Sequence, residues 1–236
     1  PKVILFDSSH EIIPTDFLVE EFVEGEHPKP KATDEFIITM AKWMKRLHSI
    51  KSSIENREGY FSLSSSIKDH RSDFDRYKYT LPGKLAAELE SLFDSAVALC
   101  RKNETLFRNY KKYSLLHSDY WPGNIFIKNK KIRVIDWEFS GHGVPEWDIV
   151  HFLNEYKMNI QQKRLFLRTY GYPNNPIAKE RLKMIKLLIT CGNVWDSVWQ
   201  LHHLIKKDSD AYAHGFKKSK YLRRLRGSKK QLSELI

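Results

Sequence analysis

Cysteine is nearly absent: Cys100 and Cys191 are the only two in 236 residues. Neither belongs to a metal-ligand spacing, and each falls in a helix-like apolar pattern, so they read as buried thiols and not as a disulfide. That usage fits a reducing compartment, and the cytoplasm is the expected location. No apolar run approaches the roughly 20 residues needed to cross a bilayer, which excludes a helical membrane span. No signal-peptide pattern opens the chain, and no internal repeat or low-complexity tract interrupts it. Acidic residues are the minority, 29 against 40 Lys and Arg, for a formal net charge of +11.

A basic surface draws anions by long-range steering and leaves nucleic acid or an acidic membrane open as partners. The surplus is uneven. Lys217 to Lys230 hold eight basic residues and no acid. Tyr221, Leu222 and Leu225 recur there at helical spacing, so the plain reading is a solvated helix with one apolar stripe packed on the body. No RNA- or DNA-binding motif supports the other reading, and nucleic acid is not an expected partner. Length suits one to two domains, and an apolar content of 41% with six Trp is ample for a core.

The most informative run is His117-Ser118-Asp119-Tyr120-Trp121-Pro122-Gly123-Asn124, followed by Val134-Ile135-Asp136-Trp137-Glu138. Asp119 and Asn124 stand five positions apart, the spacing between the base and the metal-binding Asn of a kinase catalytic loop. Phosphoryl transfer asks a protein mainly for positioning and charge neutralisation. Mg²⁺ needs only one or two carboxylates and a carbonyl oxygen beside the phosphates, which Asp136 and the Asn124 amide can supply. Asp119 is then the group that orients and deprotonates an acceptor hydroxyl. A lone Asp or Asn in a loop is usually a turn former or a cap; the ordered combination argues for the site.

Local geometry favours convergence. Asn124–Lys128 and Lys131–Ile135 read as short strands joined by a tight turn at Asn129-Lys130. Pairing across that turn brings Asn124 beside Asp136, which is expected to close the second strand. Pro122-Gly123 forces a turn just before Asn124, holding Asp119 near the same point.

These residues resemble the small-molecule kinases of the aminoglycoside phosphotransferase and choline kinase superfamily, which share the catalytic half of the protein-kinase fold. Phe17 to Gly25 is similar to the strand and hinge linking their lobes, Leu47-His48 to the end of their first C-lobe helix, and Pro145-Glu146-Trp147-Asp148 to the segment whose Asp braces the catalytic loop. The resemblance implies an α+β, protein-kinase-like fold: a mainly helical C-terminal lobe with a catalytic β-hairpin, a short N-lobe strand remnant and a hinge. It implies an ATP- and Mg²⁺-dependent phosphotransferase acting on a small-molecule hydroxyl. Backbone groups at Glu21, Phe22 and Val23 would meet adenine, and His117 and Asp148 would support the loop.

Departures matter too. Trp121 stands where a protein kinase carries Lys, and eleven residues separate Asp136 from Asp148, too few for a peptide-docking activation segment. A protein substrate is disfavoured. The glycine-rich loop and strand lysine expected before the hinge are missing, and Gly141-His142-Gly143 does not continue into the loop pattern. The expectation is a partly observed kinase: residues 1–25 a remnant of the N-terminal lobe and hinge, residues 26–236 the helical catalytic lobe. A catalytically inactive kinase-fold regulator is the rival reading.

Elsewhere, Val3–Phe6 and Phe17–Val23 read as strands. An amphipathic helix carries Phe36, Ile37, Met40, Met44 and Leu47, with Asp34 and Glu35 at its positive end and Arg46 and His48 at its negative end. Further helices are expected over Ile67–Tyr79, Leu85–Leu99, Ile149–Tyr156, Gln162–Tyr170, Ala178–Lys206 and Ala211–Arg226. For the acceptor, Trp195, Asp196 and Trp199 on the late helix could hold a cationic amine, or the two Trp could simply pack the core. Glu138 could meet metal-bound water or acceptor, or be structural. Amino alcohols, sugars and aminoglycosides all stay open, as does the oligomeric state.

Overall fold

The computed structural model describes residues 1–50, 61–108, 113–206 and 217–236. The chain divides into two compact units, Pro1–Ile54 with Tyr113–Pro173, and Glu55–Lys112 with Asn174–Ile236. In chain order the helices among the described residues are α1 (Asp34–Leu47), α2 (Leu63–Tyr77), α3 (Gly83–Asn103), α4 (Thr105–Arg108), α5 (Glu146–Glu155), α6 (Ile160–Tyr170), α7 (Pro176–Lys206) and α8 (Lys218–Leu235). The strands are β1 (Val3–Asp7), β2 (Phe17–Glu20), β3 (Ser114–Leu116), β4 (Ile125–Lys128), β5 (Lys131–Val134) and β6 (Gly141–Gly143).

In the first unit β1 and β2 pair antiparallel. β2 stops at Glu20 and does not run to Val23, because its ladder ends with Glu21 N–H donating to Lys2 O at 2.9 Å. The chain then crosses to β4, where Glu26 and Ile127 exchange backbone hydrogen bonds at 3.0 and 2.9 Å. His27 Nδ1 donates to Ile125 O at 3.0 Å beside them. Next, Thr33 caps α1 by accepting from Phe36 N–H at 3.3 Å. Asp34 and Glu35 fill its first turn and Lys45 and Arg46 its last, each sign matched to the helix dipole. One face of α1 buries Phe36, Ile37, Met40, Ala41, Met44 and Leu47, as the 3.6-residue spacing requires. Phe36 meets Phe152 and Tyr156 of the α5 region.

The other four strands among the described residues form two nested hairpins. β4 and β5 pair with Ile125 opposite Val134, and the two-residue turn puts Asn129 and Lys130 at φ 51° and 62°, the left-handed pair that matches strand twist. Around them β3 pairs with β6, Leu116 opposite Gly141. Gly143 faces Leu116 closely in that outer pair: a Cβ there would fall 2.7 Å from Leu116 Cδ1, so that side chain would have to shift. Gly141-His142-Gly143 is therefore a strand.

The second unit is helical. α2 packs against α3 and α7, and α8 lies on α7. Tyr221, Leu225, Ser228 and Leu232 form the buried stripe of α8. That stripe continues past Gly227, so the helix runs to Leu235 and not to Arg226 as expected; the expected start at Ala211 lies outside the described residues. α2 begins at Leu63, capped by Ser62, and gives way to a 3₁₀ turn at Lys78. Cys100 and Cys191 are free and buried, and burial pushes the Cys100 thiol up to about 12. Among the described residues no helix is long and apolar enough to cross a membrane.

Candidate active site

The nesting of the hairpins places the site. Residues 117–124 connect β3 to β4 and residues 135–140 connect β5 to β6, so the two segments leave adjacent strand ends side by side. Ile135 N–H donates to Asn124 O at 3.0 Å. A second link runs through buried His117, whose Nε2 lies 2.9 Å from Ile135 O while its Nδ1 accepts from Asp119 N–H at 3.2 Å. A carbonyl accepts only, so the hydrogen sits on Nε2 and the tautomer is settled.

Asn124 is buried, in the 3₁₀ turn at Pro122. Its Nδ2 donates to Asp119 Oδ2 at 2.7 Å. A carboxylate cannot donate in return, so the amide oxygen is turned away from Asp119. Asp136 does not close β5 as expected: the strand ends at Val134, and Asp136 sits two residues on with φ 65°. Its carboxylate is exposed and makes no hydrogen bond with a described residue. Among the described residues no cluster of three or more His, Cys, Asp or Glu could hold a metal alone. Two oxygen donors, the Asn124 amide and the Asp136 carboxylate, suit a hard cation that keeps waters or arrives with phosphate oxygens.

Asp148, wholly buried in the first turn of α5, gathers the loop. It accepts from His117 N–H at 3.0 Å, Ser118 N–H at 2.9 Å and the Tyr120 hydroxyl at 2.6 Å. His48, the residue capping α1, reaches the same carboxylate at 3.0 Å. Burial and the Asp148 charge push the Tyr120 hydroxyl far up, so it keeps its proton and donates. His151, one turn along α5, is held neutral by burial against the opposing pull of Asp148 and Asp119.

Glu138 and Phe139 are exposed just beyond Asp136, and Trp121 is exposed two residues after Asp119. Glu21 and Phe22 are exposed and Val23 is buried. Phe22 and Glu24 line a cavity of about 440 Å³ with Phe126, Lys128, Asn129, Lys131 and Arg133. Period-two alternation sets Phe126 and Lys128 on that face of the hairpin, and Lys128 is ion-paired with Glu24. In the second unit, the Trp195 indole N–H donates to His70 Nδ1 at 3.0 Å, Asp196 pairs with Arg224 at 2.6 Å, and the Trp199 ring lies 4.6 Å from His203. Tyr120 carries no motif signal of its own in the sequence, whereas strand alternation marks Phe126.

A family model described as APH, phosphotransferase enzyme family, matches residues 1–180. Protein LicA homolog of Metamycoplasma hominis is 23% identical over 198 residues, covering 84% of this chain and 70% of the relative. Protein LicA of Haemophilus influenzae is 30% identical over 124 residues, covering 50% of this chain and 43% of the relative. Among solved structures, choline kinase LicA from Streptococcus pneumoniae superposes with a TM-score of 0.69 at 20% identity, over 99% of this chain and 74% of that one. Its likeness shows a protein-kinase-like fold.

Proposed function

Because the chain belongs to the phosphotransferase enzyme family, we propose that it serves to transfer the γ-phosphoryl group of ATP to a hydroxyl of a small molecule, with Mg²⁺. The observation that carries this reading is the convergence of Asp119, Asn124 and Asp136 on two adjacent loops tied together through His117. Residues 1–25 then stand as the remnant of an N-terminal lobe and hinge, and 26–236 as the catalytic lobe.

In this reading Asp119 orients the acceptor hydroxyl and takes its proton, its carboxylate held by the Asn124 amide. The Asn124 amide oxygen and the Asp136 carboxylate would hold Mg²⁺, which would supply the positive charge that neutralises the phosphate oxygens. His117 keeps the two loops in register, and Asp148 holds the His117 and Ser118 backbone N–H groups before Asp119 and the Tyr120 hydroxyl after it. Backbone groups of Glu21, Phe22 and Val23 meet the purine. For the acceptor the candidates are Glu138 and, in the second unit, Trp195, Asp196 and Trp199. Amino alcohols head the acceptor panel, since a structural neighbour is described as a choline kinase.

The test is Mg²⁺-dependent ATP consumption with amino alcohols, sugars and aminoglycosides, with Asp119→Asn as control. Turnover with one acceptor, lost in the variant, supports the proposal. Nucleotide binding with no turnover on any acceptor favours the inactive, regulatory reading.

A further inference from the structure

All six Trp lie among the described residues, and Trp121 alone is exposed, at 56%. The other Trp of the catalytic run shows what a structural indole does. Trp137 spends its N–H on Val134 O at 3.3 Å and sets its ring 4.6 Å from that of His117. The Trp121 indole N–H makes no hydrogen bond with a described residue. Exposure by itself is ordinary for a surface side chain. What sets Trp121 apart is how firmly it is tied to Asp119.

Pro122 confines the Trp121 backbone to extended geometry, found at φ −65° and ψ 147°. Asn124 N–H donates to Trp121 O at 3.0 Å, and the Asn124 amide donates to Asp119 Oδ2 at 2.7 Å. One buried residue thus fixes both the backbone that carries the indole and the carboxylate two positions before it. The Nε1–Cε2–Cζ2 edge of the indole packs on Gly123, where a Cβ would collide with all three atoms. Glycine is the seat of the ring, and the rest of the indole stays open to solvent.

The charge around the ring has one sign. Residues 117–127 and 134–156 contain no Lys or Arg, in a chain of net charge +11. Asp119 is half-buried, and Asp136 and Glu138 are exposed in the neighbouring segment. Glu138 stands in a turn closed by Ser140 N–H donating to Trp137 O at 2.9 Å. That field repels an anionic acceptor and draws a cationic one, and Trp is the best of the aromatic faces for a cation.

We propose that Trp121 is a specificity-determining residue for the acceptor: its indole holds the ammonium end of a hydroxyl-bearing amine while Asp119 meets the hydroxyl. The amine is thereby read by the catalytic loop itself. In the second unit, by contrast, the Trp195 N–H and Asp196 are already engaged by His70 and Arg224. The role of the hydroxyl rests on the phosphotransferase reading; the binding of the amine at Trp121 does not.

The experiment labels the whole chain with 5-fluorotryptophan and assigns the Trp121 ¹⁹F resonance by its loss in Trp121→Phe. Choline, ethanolamine and 3,3-dimethylbutan-1-ol, the uncharged isostere of choline, are then titrated in the presence of MgADP. At least one of the two amines is expected to shift that resonance, and the isostere to leave it in place at the same concentration. Trp121→Leu, which keeps an apolar side chain without a π face, is expected to raise KM for the amine about tenfold, with KM for ATP unchanged. Trp121→Phe is expected to fall between Leu and the unaltered protein. A Trp121 resonance that neither amine moves overturns the proposal. So does an equal shift by the isostere, or a Trp121→Leu protein with the original KM for the amine. If no acceptor is turned over by the unaltered protein, the phosphotransferase reading fails and the Trp121 resonance alone decides where the amine binds.

Discussion

Ser118 N–H reaches Asp148 Oδ1 at 2.9 Å from a backbone held at φ 69°, so the residue before Asp119 sits in the left-handed region under a direct electrostatic restraint. An L-residue there costs roughly 1–2 kcal/mol, and a charge-assisted hydrogen bond is of the size to offset it. The restraint belongs to a buried carboxylate with three further donors.

Asp148→Ala therefore leaves two backbone N–H groups, the Tyr120 hydroxyl and His48 without their acceptor. Removing a buried charged partner typically costs about 3–5 kcal/mol. Denaturant unfolding is expected to show a loss of that size, and a loss under 1 kcal/mol would mean that the loop does not depend on this brace.

Asp119→Asn keeps shape and removes the carboxylate proposed to take the acceptor's proton. Turnover is expected to fall about 10²- to 10⁴-fold, while calorimetry shows ATP binding with affinity close to that of the unaltered protein. Retained turnover would take Asp119 out of its assigned role.

Asp136→Asn removes the charge of one of the two oxygen donors. The Mg²⁺ concentration for half-maximal nucleotide binding is expected to rise about tenfold or more, in line with the loss of roughly 1.4 kcal/mol or more of interaction. An unchanged Mg²⁺ titration would exclude Asp136 as a ligand.

Gly143→Ala drives a methyl to 2.7 Å from Leu116 Cδ1 in the outer hairpin. Overpacking of this kind costs about 1–3 kcal/mol. Shortening the neighbour in Gly143→Ala/Leu116→Val is expected to restore part of the melting temperature; no difference between the single and double variants would locate the strain elsewhere.

His70 gives the second unit a pH dependence. Burial lowers its folded pKa below the unfolded value, with Asp73 and Asp69 opposing in part. A depressed histidine pKa means that the unfolded chain binds the proton first. Stability is therefore full above about pH 6.5, the unfolded value, and falls as pH drops from there toward the folded pKa. His70→Gln, which keeps an acceptor for the Trp195 indole N–H, is expected to flatten that fall between pH 7 and 5 in urea unfolding. Parallel curves for the two proteins would assign the dependence to other groups.

The hairpin and its turn were legible because Asn129-Lys130 lies between two alternating strands, and such signals are local. The same holds for α1, where cap, charge order and apolar spacing agree. Asp136 was placed at the end of a strand, yet the structure turns it out at φ 65°, since strand propensity does not report where pairing partners run out. The stop assigned near Arg226 failed for a related reason: Gly227-Ser228 reads as a break, but Ser228 and Leu232 continue a stripe whose packing outweighs the local cost of glycine. The role of Tyr120 was invisible. Its hydroxyl matters only through a partner 28 positions away, at Asp148.

The nested hairpins also bear on how the chain reaches its native state. Every contact that joins residues 117–124 to 135–140 closes a loop of two dozen residues or fewer, and the entropy of such closures is modest. The segment from Ser114 to Gly143 is thus a region of low contact order inside a chain whose helices pair over long separations. We expect it to gain hydrogen-exchange protection early in refolding, ahead of α7 and α8, so that the two loops meet before those long helices have finished pairing.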